Sequence, residues 1–124
     1  MASFVLATAE RTALANQMKT DLNSGYLKIY TAGYATLIVS IPLANPCGTV
    51  SNGVLTLDTT NMYANAVASG TAAVGRFFKS DNTTAVADCD VGTSGATVNL
   101  QNTSINSGQN VSITSGNITV PAGT

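Results

Sequence analysis

The sequence predicts an all-β fold: a β-sandwich of the jelly-roll kind, with about eight short strands and one N-terminal α-helix. Three observations predict it. From Tyr26 onward, apolar and polar residues alternate with a period of two, the mark of half-buried strands. Ser, Asn, Gly and Pro interrupt this alternation at intervals of about 8–12 residues, as sandwiches require. The chain has 124 residues, enough for one domain that buries a core without a metal or disulfide framework, so a single domain over 1–124 is expected.

The helix is expected at about 8–23 and the sandwich at 26–120. Thr8 is placed to cap the helix, Glu10 stands in the first turn where the dipole favours an anion, and Asn23-Ser24-Gly25 supplies the stop. Leu14, Met18 and Leu22 recur every fourth residue, a narrow stripe suited to lying against a sheet. Tyr26–Thr31 sets Leu27 and Ile29 against Tyr26, Lys28 and Tyr30. Ala32-Gly33-Tyr34 turns into Thr36–Leu43, which Pro42 ends because it cannot donate to a ladder. Asn45-Pro46-Cys47-Gly48 reads as loop, and Asn52-Gly53 as a turn leading into Val54–Thr59. A short helical turn is expected within Asn61–Gly70. Thr71–Ser80 and Thr84–Val91 form the strongest hairpin signal, around Ser80-Asp81-Asn82. Gly92–Gly95 turns again, and Ala96–Leu100, Asn110–Thr114 and Asn117–Val120 complete the strands, with Pro121–Thr124 as a tail.

Charged residues are 9% of the chain, against roughly 25% in ordinary domains. Interfaces are depleted in Lys, Glu and Asp, so this composition favours a subunit that faces other protein. Net charge is −1, and the cations Arg11, Lys19, Lys28, Arg76 and Lys79 are scattered. They make no stripe for a phosphate backbone, so neither nucleic acid nor a charged membrane surface is an expected partner. No stretch approaches the roughly 20 apolar residues of a membrane span. The opening MASFVLATAERTALANQMK lacks a basic start and meets Glu10 and Arg11 early, so no secretory signal is read and synthesis in a cytoplasm is expected. Cys47 and Cys89 are then expected to stay reduced, Cys89 as a small buried residue.

Chemistry-bearing patterns are few. The chain has no histidine, which removes the commonest general base and the Ser-His-Asp and Cys-His arrangements. No catalytic residue is assigned, no cofactor or small-molecule substrate is expected, and the chain reads as no enzyme. Asp88 and Asp90 are the one close carboxylate pair. Two residues apart on a strand, they share a face and could attract calcium, but no further acid stands near to complete a shell of six to eight oxygens. Gly92-Thr93-Ser94-Gly95 lacks the lysine and helix of a phosphate loop. The four N-x-[ST] sequons, at Asn82, Asn102, Asn110 and Asn117, are the chance yield of an Asn/Ser/Thr-rich chain.

Tyr26, Tyr30, Tyr34 and Tyr63 are candidates for an interface, since tyrosine is enriched there; a carbohydrate platform is the alternative, although the chain has no tryptophan. Arg76 is a further interface candidate. If it shares an inward face with Val74 and Phe78 it needs a buried partner, and the preferred place is a sheet end where it braces a loop or a neighbour.

The segments Ser69-Gly70-Thr71-Ala72-Ala73, Arg76-Phe77, Val91–Ala96, Asn99-Leu100, Asn102–Ile105, Val111–Thr114 and Ile118–Pro121 resemble a family of short proteins from tailed-phage and prophage structural gene clusters. The opening Leu6–Leu14 and the strand Leu27–Thr31 resemble it too. The chain departs from it at Thr97-Val98 and at Cys89 with its two flanking aspartates. What the resemblance implies is a virion protein associated with the head, similar to jelly-roll decoration or cement proteins, whose partners are the major capsid protein and further copies of itself. Neck or tail placement, or a carbohydrate-binding module for host attachment, are the alternatives. An edge strand at Ser3–Ala7 or at Asn117, Ile118, Thr119 and Val120 is expected to add to a neighbour's sheet.

Overall fold

In a computed structural model, residues 7–120 are described, and over them the chain is mostly β with one helix. The helix α1 spans Thr8–Leu22 and is followed by β1 (Tyr26–Tyr30), a 3-10 turn (Ala32–Tyr34), β2 (Leu37–Pro42), β3 (Gly48–Ser51), β4 (Val54–Leu57), β5 (Tyr63–Asn65), β6 (Gly70–Thr71), β7 (Val74–Phe78), β8 (Ala85–Gly92), β9 (Val98–Leu100), β10 (Ser104–Ile105) and β11 (Asn110–Thr119). One large sheet runs in the order β2-β1-β7-β8-β9-β11-β4-β3, with β5 also on β11, while β6 and β10 form a small pair. The sheet curls into a sandwich-like shell, and the irregularities at Ile29/Tyr30, Phe77/Phe78 and Ile113/Ser115 are of the kind that bends strands and adds twist.

The period of two explains what lies inside. Leu27 and Ile29 of β1 stand beside Phe77 and Gly75 of β7 and Ile41 and Val39 of β2, and all of them are buried. Val98, Leu100, Ile113, Ile118, Leu55 and Leu57 of the other half join the same cluster. Each fully buried aliphatic side chain contributes about 1.5–3 kcal/mol. Cys47 is buried and Cys89 half-buried, both as free thiols. Burial pushes both thiols up, Cys89 to about 12 with help from Asp90 and Asp88, which disfavours the thiolate form.

The helix differs in detail from the expectation. Ala7, not Thr8, occupies the capping position and makes no side-chain cap; the Thr8 hydroxyl instead accepts from Arg11 Nη2 at 3.0 Å. Leu14 points outward, 42% exposed, while Ala15 and Leu22 are buried and Met18 packs against the core. The small Ala15 faces inward because α1 lies close against the β3–β4 hairpin. Its turn, Asn52-Gly53, has φ of 51° and 79°, the two left-handed residues of the favoured hairpin turn. The Gly53 amide donates to Thr12 Oγ1 at 3.0 Å, and a Cβ on Gly53 would stand 2.8 Å from that of Arg11. At the helix end, Asn23 Oδ1 accepts from the Cys47 amide at 2.9 Å.

The β7–β8 hairpin forms as expected, with Arg76 opposite Asp88 and Phe77 opposite Ala87. Three other regions depart from expectation. β3 stands where no strand was read, taking in Gly48 of the expected loop and the three residues after it. The Asn61–Gly70 stretch holds strands β5 and β6 and no helical turn. The two expected strands at the end are one, β11, continuing through Ser115-Gly116 past an irregularity at Ile113/Ser115; glycine stands there because a Cβ would come within 2.7 Å of Leu57. As a result Asn117–Thr119 is no edge: it pairs with β4, and the path ends at β2 and β3. The other proposed edge, Ser3–Ala7, lies outside the described residues except for Ala7, as does the tail 121–124.

Between β8 and β9 the chain turns but continues in the same direction, with Val91 beside Val98 and Gly92 beside Asn99 in a parallel pair. Asn99 locks the excursion. Its amide exchanges hydrogen bonds with Ala96 at 3.0 and 3.1 Å and donates to Ser115 Oγ at 3.0 Å. Burial without those partners would cost about 1–3 kcal/mol.

Candidate functional site

The strands β1, β7 and β8 gather four of the nine expected contact residues, Tyr26, Tyr30, Tyr34 and Arg76, at one outer face. Alternation puts Tyr26, Lys28 and Tyr30 outward on β1. On β7, Arg76 stands opposite Lys28 on one side and Asp88 on the other. Gly75 and Phe77 point inward, so Arg76 is neither in the core nor at a sheet end: it lies mid-sheet on the outer face. The bracing expected of it is present, because its guanidinium stacks 4.3 Å from the ring centroid of Tyr34, in the β1–β2 turn.

Each member of the cluster holds another. Arg76 forks onto Asp88, Nε to Oδ1 at 2.6 Å and Nη2 to Oδ2 at 3.2 Å. The Tyr30 and Tyr34 rings meet edge to face at 5.3 Å, a favoured aromatic geometry. Tyr34 has φ +59° directly after Gly33 at +68°, a conformation that strains a bulky residue by about 1–3 kcal/mol. The turn is tied at its base by the Tyr34 amide to Thr31 O at 3.0 Å and the Thr36 amide to Thr31 Oγ1 at 3.0 Å. Next to this cluster, Lys28 Nζ sits 4.5 Å over the ring of the buried Phe78.

The electrostatics follow the contacts. The Arg76 guanidinium holds the Asp88 carboxyl below its usual range, and Asp88 in turn raises Arg76. Desolvation and then the Asp88 charge push the Tyr34 phenol up, so it stays a neutral hydroxyl. Asp90 is held low by the Thr97 hydroxyl and amide, the amide donating to Oδ1 at 3.1 Å. The two aspartates thus turn to different partners. Among the described residues, no three His, Cys, Asp or Glu side chains gather as a metal site would need.

The remaining interface candidates lie elsewhere. Tyr63 projects from β5, 52% exposed, opposite Ser112 of β11. Ile118 and Val120 are buried in the core side of the last strand, while Asn117 and Thr119 face out. Sequence reasoning named Asp88 only as a weak metal candidate and missed that it is the partner of Arg76. The signal was in the hairpin: the two stand twelve residues apart, symmetric about Asn82 in the turn. Lys28 as the cover of Phe78 was missed as well.

No helix of the described residues is long and apolar enough to cross a membrane. Compared with protein-family models, with curated proteins and with solved structures, the chain matches none.

Proposed function

We propose that this chain is a non-enzymatic virion structural protein of a tailed phage, a capsid decoration or cement protein that stabilises the head by bridging major capsid subunits. The observation that carries the reading is the outer face of β1, β7 and β8. There a chain with 9% charged residues concentrates Tyr30, Tyr34, Arg76 and Asp88 in one cross-braced cluster. Tyrosine and arginine are the residue types that anchor protein contacts, and anchors held in place before binding lose less entropy on association. The sequence resemblance to phage structural proteins supplies the phage context.

The mechanism is adhesion. A protein that binds the assembled shell and not its separate subunits stabilises the shell by its binding free energy. Many copies, each engaging capsid subunits and neighbouring copies, act together through effective concentration. Nothing in this requires a base, a nucleophile or a cofactor.

Quantitative mass spectrometry of purified virions tests the proposal. Hundreds of copies per particle are expected. About a dozen or fewer, the number a symmetric ring would hold, would move the protein to the neck or tail, and complete absence would overturn the virion assignment.

A further inference from the structure

A second surface, on the other half of the sandwich, also carries a tyrosine but sets it beside uncharged side chains. Where β11 leaves β9, a concavity of about 140 Å³ opens, lined by Gln101, Asn102, Gln109, Asn110 and Ser112, with Leu100, Ile105 and Val111 also in its wall. None of these residues is charged. Asn110 and Ser112 also border β5 on their other side, where they stand opposite Asn65 and Tyr63. Tyr63, the most exposed aromatic among the described residues, therefore stands on the strand next to β11, which supplies Asn110, Val111 and Ser112 to the depression.

The amides are held in order. Asn110 Nδ2 donates to Asn65 Oδ1 at 3.3 Å, and the Ser112 hydroxyl donates to Asn110 Oδ1 at 3.3 Å. Asn102 Oδ1 accepts from the Ser104 amide at 2.9 Å, and Gln109 Oε1 accepts from the Asn106 amide at 3.0 Å. With those oxygens occupied, the NH2 groups of Asn102 and Gln109 remain as donors, while Gln101 offers both a donor and an acceptor.

We infer that this surface is a binding site for a neutral saccharide. Sugar hydroxyls each donate and accept, as carboxamides do, so an uncharged amide rim matches a polyol with no ion to neutralise. The C–H face of a pyranose ring is apolar and lies against the face of an exposed aromatic ring, which Tyr63 supplies beside the rim. A phosphate or an anionic polymer is disfavoured, because no cation lines the depression. A protein anchor would need a deeper apolar pocket than this one. The inference is independent of the adhesive face: Tyr34 and Arg76 play no part in it.

Saturation-transfer NMR on the full chain tests it, using a panel of neutral gluco-, galacto- and manno-oligosaccharides with a polyanionic saccharide alongside. At least one neutral member is expected to bind, and its affinity should fall at least tenfold in Tyr63→Ala and in Gln101→Ala. Tyr63→Phe should keep most of it, because the ring remains. Tyr34→Ala should leave it unchanged. Binding should also persist in about 1 M salt, where charge interactions are screened within about 3 Å. Failure of every neutral saccharide to bind, binding of the polyanion alone, or binding indifferent to Tyr63→Ala would each overturn the inference.

Discussion

Two tyrosine-bearing surfaces stand on opposite halves of the same curled sheet, and they are built differently. Around Tyr34, an arginine, an aspartate and a second tyrosine fix one another, and the backbone is held in a conformation a tyrosine rarely adopts. At the second surface the Tyr63 ring is half exposed opposite Ser112, and the depression beside it is lined by amides, a hydroxyl and no charged residue. The first arrangement has little freedom left to lose on contact, as an adhesive anchor requires. The second presents open hydrogen-bonding groups, as recognition of a small polar ligand requires. Residue type alone would have grouped the four tyrosines together; their neighbours separate them.

The comparison breaks most completely if its shared support is removed. Phe77 lies beneath the braced face and belongs to the cluster that also packs Leu100 and Val111 of the other surface. Phe77→Ala is expected to cost about 3–5 kcal/mol, read from denaturant unfolding, and to weaken both surfaces. A loss confined to one of them would mean that the two halves do not share a core.

Smaller changes should separate the surfaces. Arg76→Ala removes the stack on Tyr34 and the fork onto Asp88, and should lower affinity for capsid particles at least tenfold. Its unfolding midpoint should hardly move, because exposed ion pairs contribute little to stability. Arg76→Lys should not restore the affinity, since an ammonium cannot fork or stack as a guanidinium does. Isothermal titration against particles, paired with thermal unfolding, reads both quantities.

Acid sharpens the same contrast. Hydrogen bonds from the Thr84 hydroxyl and amide, with the Thr83 amide, hold Asp81 at the tip of the β7–β8 hairpin at about 2, below its ordinary 3.8, and Asp88 and Asp90 are also held low. A carboxyl lowered by folding stabilises the fold above its unfolded pKa, and that contribution is lost as pH falls through the folded value. Stability should therefore be level from about pH 7 to 5 and decline between about 4 and 2. Asp81→Asn should flatten the decline, and an unchanged slope would remove Asp81 as its source. The neutral Tyr63 surface has no such carboxylate, so saccharide binding should follow pH only where the fold itself is lost.

The smallest effect is expected from Tyr63→Ala. Its stability should stay within about 0.5 kcal/mol of the parent, with capsid affinity unchanged. A marked loss of capsid affinity would merge the two surfaces into one.

Much of this was legible in the alternation. β1 follows its period of two, as do β7 and β8 apart from their irregularity, β2 shows as a nearly continuous apolar run, and Asn52-Gly53 makes the turn its residues require. Among the strands that escaped notice, Gly-Thr-Val-Ser of β3 is mostly polar and pairs with its neighbour β4 across the Asn52-Gly53 turn, while Tyr-Ala-Asn of β5 and Ser-Ile of β10 are very short and form only because distant strands pair with them. Ser115-Gly116-Asn117 reads as punctuation, yet Gly116 serves close packing with Leu57 inside a continuous strand. For the site, Tyr30, Tyr34, Arg76 and Asp88 each drew attention singly. Their convergence depends on register across three strands and on the left-handed turn that aims Tyr34 at Arg76, and no single segment contains that information.

The central claim is that the braced face is the adhesive one, and Tyr34→Gly tests it most directly. Glycine accepts φ +59° without strain, so this variant should be at least as stable as the parent while losing the ring that Arg76 stacks on. Titrated onto particles stripped of the protein, the parent should saturate at hundreds of copies and Tyr34→Gly should bind at least tenfold more weakly. Equal occupancy by a well-folded Tyr34→Gly would contradict the account and leave the cluster as a purely internal brace.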